Sequence, residues 1–366
     1  VKPPDLATRL VHHIRSQGPL TIAAFMAMAL HDPQAGYYAS RQPLGASGDF
    51  ITAPEISQIF GELIGLWCAD LWQRMGRPDP VIVAELGPGR GVLMEDYLRA
   101  GSGVPGFRQA LRLHLVEASP ILRAEQQRRL AAADPVWLPD VDALPEGKLL
   151  LVANEFLDAL PIRQLVRGHA QWAERLVAVD PAGRFCFTTG PESPVLSLLV
   201  PPERRDAPSG SIVELCPAAA ALAASLAGRL RRQLGAALFI DYGYNRGATG
   251  STLAAIGDHR ASDVLDAPGT ADLSAHVDFA AFAAAARAGG AEIYGPVPQG
   301  RFLKALGAEL RLAALLRRAA PGQRGALESG LRRLIDPAEM GTLFKVLAVT
   351  SPGLPAPAGF ADDDPA

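Results

Sequence analysis

Cysteine is scarce: Cys68, Cys186 and Cys216 are the only three in 366 residues. An odd number so widely spaced excludes a disulfide framework and the clustered spacings of a metal site, so a reducing compartment fits best. Long apolar runs are also missing. The stretch "LTIAAFMAMAL" from Leu20 is too short to cross a bilayer, and "VKPPDLATRLVHH" carries no apolar signal core. The expectation is a soluble intracellular protein without membrane insertion. Neither charge sign dominates: a formal net charge of -3 gives no bulk case for nucleic acid or an anionic membrane. The basic stretches "RRLAAADP" and "GRLRRQLG" read as solvated helix faces. Histidines and cysteines show no ligand spacing, so no metal is expected.

What remains is an ordinary globular composition, 49% hydrophobic and 20% charged, in a chain long enough for one elaborated domain or two. Apolar residues recur at helical spacing from Asp5 to Ala29, broken at "QGPL". A loop dense in Gly, Pro and Ser follows, ending in "TAPEISQIFGELIGLWCADLWQRMG", whose Ile56, Ile59, Phe60, Leu63, Leu66, Trp67 and Leu71 share a helical face. After "RPDP", short β-branched runs alternate with amphipathic helices: "VIVAEL", "LRLHLVEAS" and "KLLLVANEF" are buried strands of βαβ units. From Arg163 the alternation has period two, which predicts an antiparallel insertion. The α/β pattern resumes with a helix over Ala218 to Gln233 and the strand "AALFIDYG", then a loop-rich tract, further helices and a last strand, "FKVLAVTS". The tail "PGLPAPAGFADDDPA" reads as frayed.

The stretch "VIVAELGPGRGVLMEDYL" sets a strand, Glu85, then Gly87, Pro88, Gly89 and Gly91, before a helix. Glycines there let the backbone approach a ligand that faces the helix N-terminus. A nucleoside triphosphate is the weakest candidate, because no Gly-Lys-Ser/Thr ending follows. A nicotinamide dinucleotide is disfavoured, because the third glycine comes one residue early. A carboxylate at Glu85 suits a ligand with an ammonium and a sulfonium, as in S-adenosylmethionine. Glu117, thirty residues past Gly87, falls at the tip of the next strand, where it can accept both ribose hydroxyls. The bland alternative is tight packing of strand on helix.

A second acidic group, Asn154, Glu155 and Asp158, ends "LLLVAN" beyond the carboxyl edge of the sheet. Two carboxylates and an amide could clamp a guanidinium and orient one nitrogen for transfer; alternatively they begin a helix as cap and dipole-favoured acids. The loop "GDFITAPEIS" brings Asp49 and Phe50 toward the methionine end of the cofactor, with Phe50 against the sulfonium. In the same loop Thr52 and Glu55 fit a capping box, with Glu55 also a substrate-side candidate. Asp241 and Tyr242 at the tip of "IDYGY", and His276 in "SAHVDF", are further substrate-side candidates, against a packing role for the tyrosine and a structural one for the histidine.

Taken in order, "GDFITAPEISQIFGE", "ELGPGRG", "VEASPILRAEQ", "ANEFLDALPIRQ", "IDYGY", "DLSAHVDF" and "MGTLFKVL" resemble the MidA-like class I methyltransferases, from about Pro19 to Thr350. That family includes a mitochondrial assembly factor for respiratory complex I. The resemblance implies a Rossmann-like class I S-adenosylmethionine-dependent methyltransferase sheet with an N-terminal helical segment and an antiparallel β insertion. The expected organisation is 1–79 helical segment and lid loop, 80–162 first part of the core, 163–217 insertion, 218–350 second part of the core, and 351–366 flexible tail. It further implies S-adenosyl-L-methionine as cofactor, an arginine of a complex I core subunit as acceptor, and a cytoplasmic or, in a eukaryote, mitochondrial-matrix location. Self-association is left open. The residues alone equally admit a small-molecule methyltransferase or a non-catalytic assembly chaperone that binds the cofactor.

Overall fold

The computed structural model describes residues 5–40, 51–257 and 260–360. Asp49 and Phe50 lie outside them. The chain divides into two compact units, one of Val1–Pro43, Asp158–Ala221 and Arg246–Asp278, the other of Leu44–Leu157, Leu222–Asn245 and Phe279–Ala366.

The larger unit is built on seven strands: β1 (Val81–Leu86), β2 (Leu111–Val116), β3 (Val136–Leu138), β4 (Leu149–Asn154), β5 (Gly235–Tyr244), β6 (Glu292–Pro298) and β7 (Phe344–Thr350). Their spatial order is 3-2-1-4-5-7-6. The first five pair in parallel, whereas β7 runs antiparallel to both β5 and β6. The βαβ pattern foresaw the parallel part. The last strand, β7, enters between two neighbours already laid down and runs against both. Strand order turns back between β1 and β4, the switch point at whose carboxyl edge open sheets hold ligands.

Both faces of this sheet are covered. Val83, Leu113, Leu115, Leu150, Val152 and Leu238 point one way into the main core, against α2 (Gln58–Arg74) and α3 (Val92–Gly101). On the other face Phe239 packs edge-on against Phe282 of the helix Phe279–Ala288, ring centroids 4.6 Å apart. Helices α2 and α3 meet backbone to backbone. A Cβ on Gly61 would lie 2.8 Å from the Leu93 carbonyl oxygen, and one on Gly65 2.6 Å from that of Tyr97. Beside this contact Glu62, 2% exposed, accepts from Arg99 at 2.8 Å and from Arg311 at 2.7 Å and 2.8 Å. Burial alone would raise its pKa, but the two guanidinium groups outweigh it and hold the carboxyl below the usual range.

Two expectations need correction. The tail is not frayed over 351–360: Phe360 stacks obliquely on Phe302 at 5.2 Å, and Trp67 Nε1 donates to the Ala358 carbonyl at 3.0 Å. Apolar residues spaced through the proline-rich stretch suffice to anchor it without regular structure. Thr52 stands at the N-cap of α1 (Ala53–Ile56) but makes no side-chain cap bond, so the capping box does not form. Ser57 then breaks the helical run and caps α2 through Ile59 N at 3.3 Å.

The smaller unit carries the antiparallel piece. Arg163–Arg167 lies between Trp172–Val179 and Ile212–Leu215, while Phe185–Thr189 and the two-residue strand Leu20–Thr21 also pair with Trp172–Val179. The N-terminal helices therefore group with the insertion. The tract read as loop-rich holds a three-stranded sheet of Ala254–Gly257, Arg260–Ser262 and Asp272–Ser274.

Candidate functional site

Glu85 sits in the last turn of alternation of β1, on the face shared with Val152, which pairs with it in register. Continuing the same alternation puts Asn154, at the end of β4, on that face, and Glu117, just past β2, on it too. The turn between them is closed by Gly87 N donating to Val116 O at 3.0 Å and Gly91 N to Pro88 O at 2.8 Å. Gly87, Gly89 and Gly91 all have positive φ, at 60°, 52° and 78°. A Cβ on Gly87 would also press on the Phe156 ring at 3.0 Å, so glycine is needed there for space as well as for backbone geometry.

Three buried acids and amides ring this turn, and two of their oxygens have no hydrogen-bond partner among the described residues. Glu85, 2% exposed, has an unpartnered Oε2, and Asn154, 8% exposed, an unpartnered Oδ1. Burial, reinforced by the charge of Glu117, pushes the Glu85 carboxyl up to about 8. Glu117 is also raised by burial, offset in part by the Ser119 N–H, which donates to its Oε1 at 2.8 Å. Unsatisfied buried acceptors are costly, so two of them retained on one face of the sheet beside the turn suit a ligand bringing N–H donors or positive charge.

The sequence reading missed the residue that ties this site together. Gln126 of α4 (Pro120–Leu130), fully buried, donates through Nε2 to Gly89 O at 2.6 Å and to Glu117 Oε2 at 3.1 Å, while its Oε1 accepts from Trp137 Nε1 at 2.8 Å. A glutamine inside an otherwise ordinary helix gives no signal of this. Arg90, inside the glycine turn, was likewise overlooked. Its Nε donates to Glu125 at 2.7 Å and its Nη1 reaches both oxygens of Glu55 at 3.4 Å.

The second acidic group is divided. Asn154 and Glu155 belong to the larger unit and Asp158 to the smaller. Glu155 has a left-handed backbone, φ 48°, unusual for a residue with a Cβ, and a turn follows it. The alternative of a helix starting here therefore fails. Its Oε1 accepts from Asn154 Nδ2 and from Ala53 N, both at 3.1 Å. Asp241, 1% exposed, accepts through Oδ2 from Phe156 N at 3.1 Å and Leu157 N at 2.9 Å, and through Oδ1 from Tyr242 N at 2.9 Å. The Tyr242 ring packs edge-on against Phe344 at 5.6 Å. In the smaller unit, Ala275 N donates to Asp158 O at 3.0 Å, and His276 N to Thr252 Oγ1 at 2.9 Å. Tyr38 donates to Asp272 at 2.9 Å; burial first, then the charges of Asp272 and Asp158, raise its phenol well above the ordinary value.

Among the described residues no group of three or more His, Cys, Asp or Glu is placed to hold a metal ion, and no helix is long and apolar enough to cross a membrane.

The profile of a family described as "Putative S-adenosyl-L-methionine-dependent methyltransferase" matches residues 63–297. The chain is 36% identical to the Xenopus tropicalis "Protein arginine methyltransferase NDUFAF7, mitochondrial", covering 97% of this chain and 89% of that protein. It is 38% identical to the Drosophila melanogaster homologue, over 94% of this chain and 84% of that one. Among solved structures, a Burkholderia thailandensis protein bound to S-adenosyl-homocysteine superposes with a TM-score of 0.85 at 32% identity, covering 98% of this chain and 95% of that chain. Sheet order, glycine turn and nearly full-length similarity agree, and the chain belongs to this family of S-adenosyl-L-methionine-dependent methyltransferases.

Proposed function

We propose that the protein transfers a methyl group from S-adenosylmethionine to an arginine side chain of a protein, with a respiratory complex I core subunit as the acceptor. One observation carries the cofactor side: the unpartnered Glu85 Oε2 and Asn154 Oδ1, buried on one face beside the glycine turn. These acceptors fit an ammonium group, and Glu117 fits a ribose diol. The arginine acceptor rests on the names of the relatives, and the complex I subunit on the motif resemblance described above.

When bound, the cofactor supplies a methyl group on a sulfonium, released as a neutral thioether once the methyl has moved. The chain's own part is to hold and orient. The glycine turn presents backbone to the ligand, Glu85 and Asn154 take up donors, and Glu117 fixes the sugar. Asn154 at the end of β4, Glu155 just after it and Tyr242 are the acceptor-side groups proposed for the larger unit; Asp158 and His276 are those proposed for the smaller one. A carboxylate there would align a guanidinium and favour loss of a proton from the nitrogen as its new bond to carbon forms. Asp241 and Glu55 are committed to internal partners, and we assign them supporting roles.

The test is labelled methyl transfer from S-adenosylmethionine to purified complex I core subunits, with acid hydrolysis and mass spectrometry of the products. Methylarginine is the expected product. Label appearing only in a small molecule, or cofactor binding without turnover on any subunit, would remove the arginine assignment while leaving the cofactor site standing.

The elevated Glu85 pKa has a consequence for pH. An acid whose folded pKa lies at about 8, above its unfolded value, holds its proton in the fold while the unfolded chain has lost it. Its contribution to stability is therefore full below the unfolded value and lost as pH rises to about 8. A cationic ligand favours the carboxylate, so binding near pH 7 should expel a proton and affinity should rise with pH. The ligand's α-amino group itself titrates near about 8, so the quantity to compare is proton release by wild type and by Glu85→Gln. Calorimetry of S-adenosyl-homocysteine in buffers of different ionisation heat should show release in the first that is absent in the second. Equal release in both would mean that Glu85 does not meet the charge.

A further inference from the structure

We propose that Arg90 is a positioning residue that couples the cofactor turn to the short helix α1, and through it to Glu155. The inference rests on the reading of the glycine turn as the cofactor cradle.

A four-residue helix has no stability of its own, and α1 lacks a side-chain cap. Something else must place it. Two side chains do so from opposite sides of the switch point. From the acid after β4, Glu155 Oε1 accepts the Ala53 N–H at 3.1 Å. From the turn after β1, Arg90 Nη1 reaches Glu55 at 3.4 Å. The helix Pro321–Ile335 supports α1 from behind, where a Cβ on Gly330 would meet Ile56 O at 2.8 Å.

The backbone of Arg90 is fixed independently of that reach. Its carbonyl accepts from Arg129 Nε at 3.0 Å, and the neighbouring Gly89 carbonyl accepts from Gln126. Gln126 also holds Glu117, so a single run of contacts joins Glu117, Gln126, the turn, Arg90, Glu55, Ala53, Glu155 and Asn154. The backbone joins the turn to Arg90 and Glu55 to Ala53, and side-chain hydrogen bonds make the other links. The arrangement also answers a charge problem. A guanidinium in a turn that receives a cationic cofactor would repel it, and Glu125 and Glu55 neutralise Arg90. Glu55 thus serves the turn.

Amide hydrogen exchange of the full chain, with and without S-adenosyl-homocysteine, tests this for wild type, Arg90→Met, Arg90→Lys, Glu55→Gln and the Arg90→Met/Glu55→Gln double variant. Calorimetry gives the ligand affinity of each. In wild type the ligand should slow exchange of the amides of residues 53 and 55–57 by about tenfold or more; in Arg90→Met and in Glu55→Gln that slowing should drop to about twofold or less. The double variant should be no worse than either single one, and Arg90→Lys should keep most of the effect. Ligand affinity should change by less than about tenfold in each. Unchanged slowing in Arg90→Met, or additive losses in the double variant, would overturn the coupling. Loss of ligand affinity beyond tenfold would instead make Arg90 a ligand contact, also against the proposal. No binding by wild type would overturn the cradle reading, a separate failure. Glu55→Gln, which preserves shape, keeps the test open if Arg90→Met does not fold.

Discussion

Replacing Glu117 by alanine is expected to weaken binding of S-adenosyl-homocysteine about 100-fold. The side chain is 8% exposed, at the tip of the strand beside the glycine turn. A charged acceptor facing two hydroxyls contributes about 1.5–3 kcal/mol per hydrogen bond, and part of that is retained when water fills the gap. A net loss near 2.7 kcal/mol gives the stated factor. Glu117→Gln keeps an oxygen for the Ser119 N–H but offers an amide to one hydroxyl, so a loss of about tenfold is expected. Calorimetry reads both, and the melting temperature guards against a merely structural effect, because Glu117 also receives Ser119 and Gln126. Unchanged affinity in a folded alanine variant would take the ribose role away from this residue.

The largest expected loss of stability comes from Asp241→Ala, at about 4 kcal/mol. Its carboxylate takes three backbone N–H groups, from Phe156, Leu157 and Tyr242, in a place 1% exposed. Alanine would leave three backbone donors, that of Leu157 buried and the other two part-buried, without that acceptor, and each buried orphan costs about 1–3 kcal/mol. Asp241→Asn retains one oxygen and should lose roughly half as much. Urea unfolding monitored by circular dichroism measures both. A loss below about 1 kcal/mol for alanine would show that water or backbone movement replaces the carboxylate. Because two of these donors, Phe156 and Leu157, follow directly on Glu155, activity should fall along with stability, through displacement of that turn.

The parts of the site legible in the sequence are those set by strand and turn chemistry. Glu85, the three glycines and Glu117 could be placed because a βα turn has few solutions, and alternation along a strand fixes which side chains share a face. The acidic group after β4 was legible in position but not in conformation, since nothing in "NEFLDALP" announces a left-handed Glu155 and a turn in place of a helix. Gln126 and Arg90 were illegible for a different reason. Their roles depend on distances across separate elements, and a polar residue on a helix or in a turn looks the same whether it meets water or a buried partner. The grouping of residues 1–43 with 158–221 and 246–278 was equally hidden, because it comes from packing and pairing between stretches far apart in the chain, among them Leu20–Thr21 against Trp172–Val179.

The backbone contact of α2 and α3 through Gly61 and Gly65 bears on how this enzyme could be redesigned. Helix α3 begins at the glycine turn, and α2 follows α1 after a single residue, so the two helices lock the end of the turn and the end of α1 to a common support. Libraries aimed at a new acceptor would waste members on Gly61 and Gly65, where even a methyl group is excluded. Diversity is better spent on exposed positions such as Ile51, just ahead of α1, which have room to change while the support stays as it is.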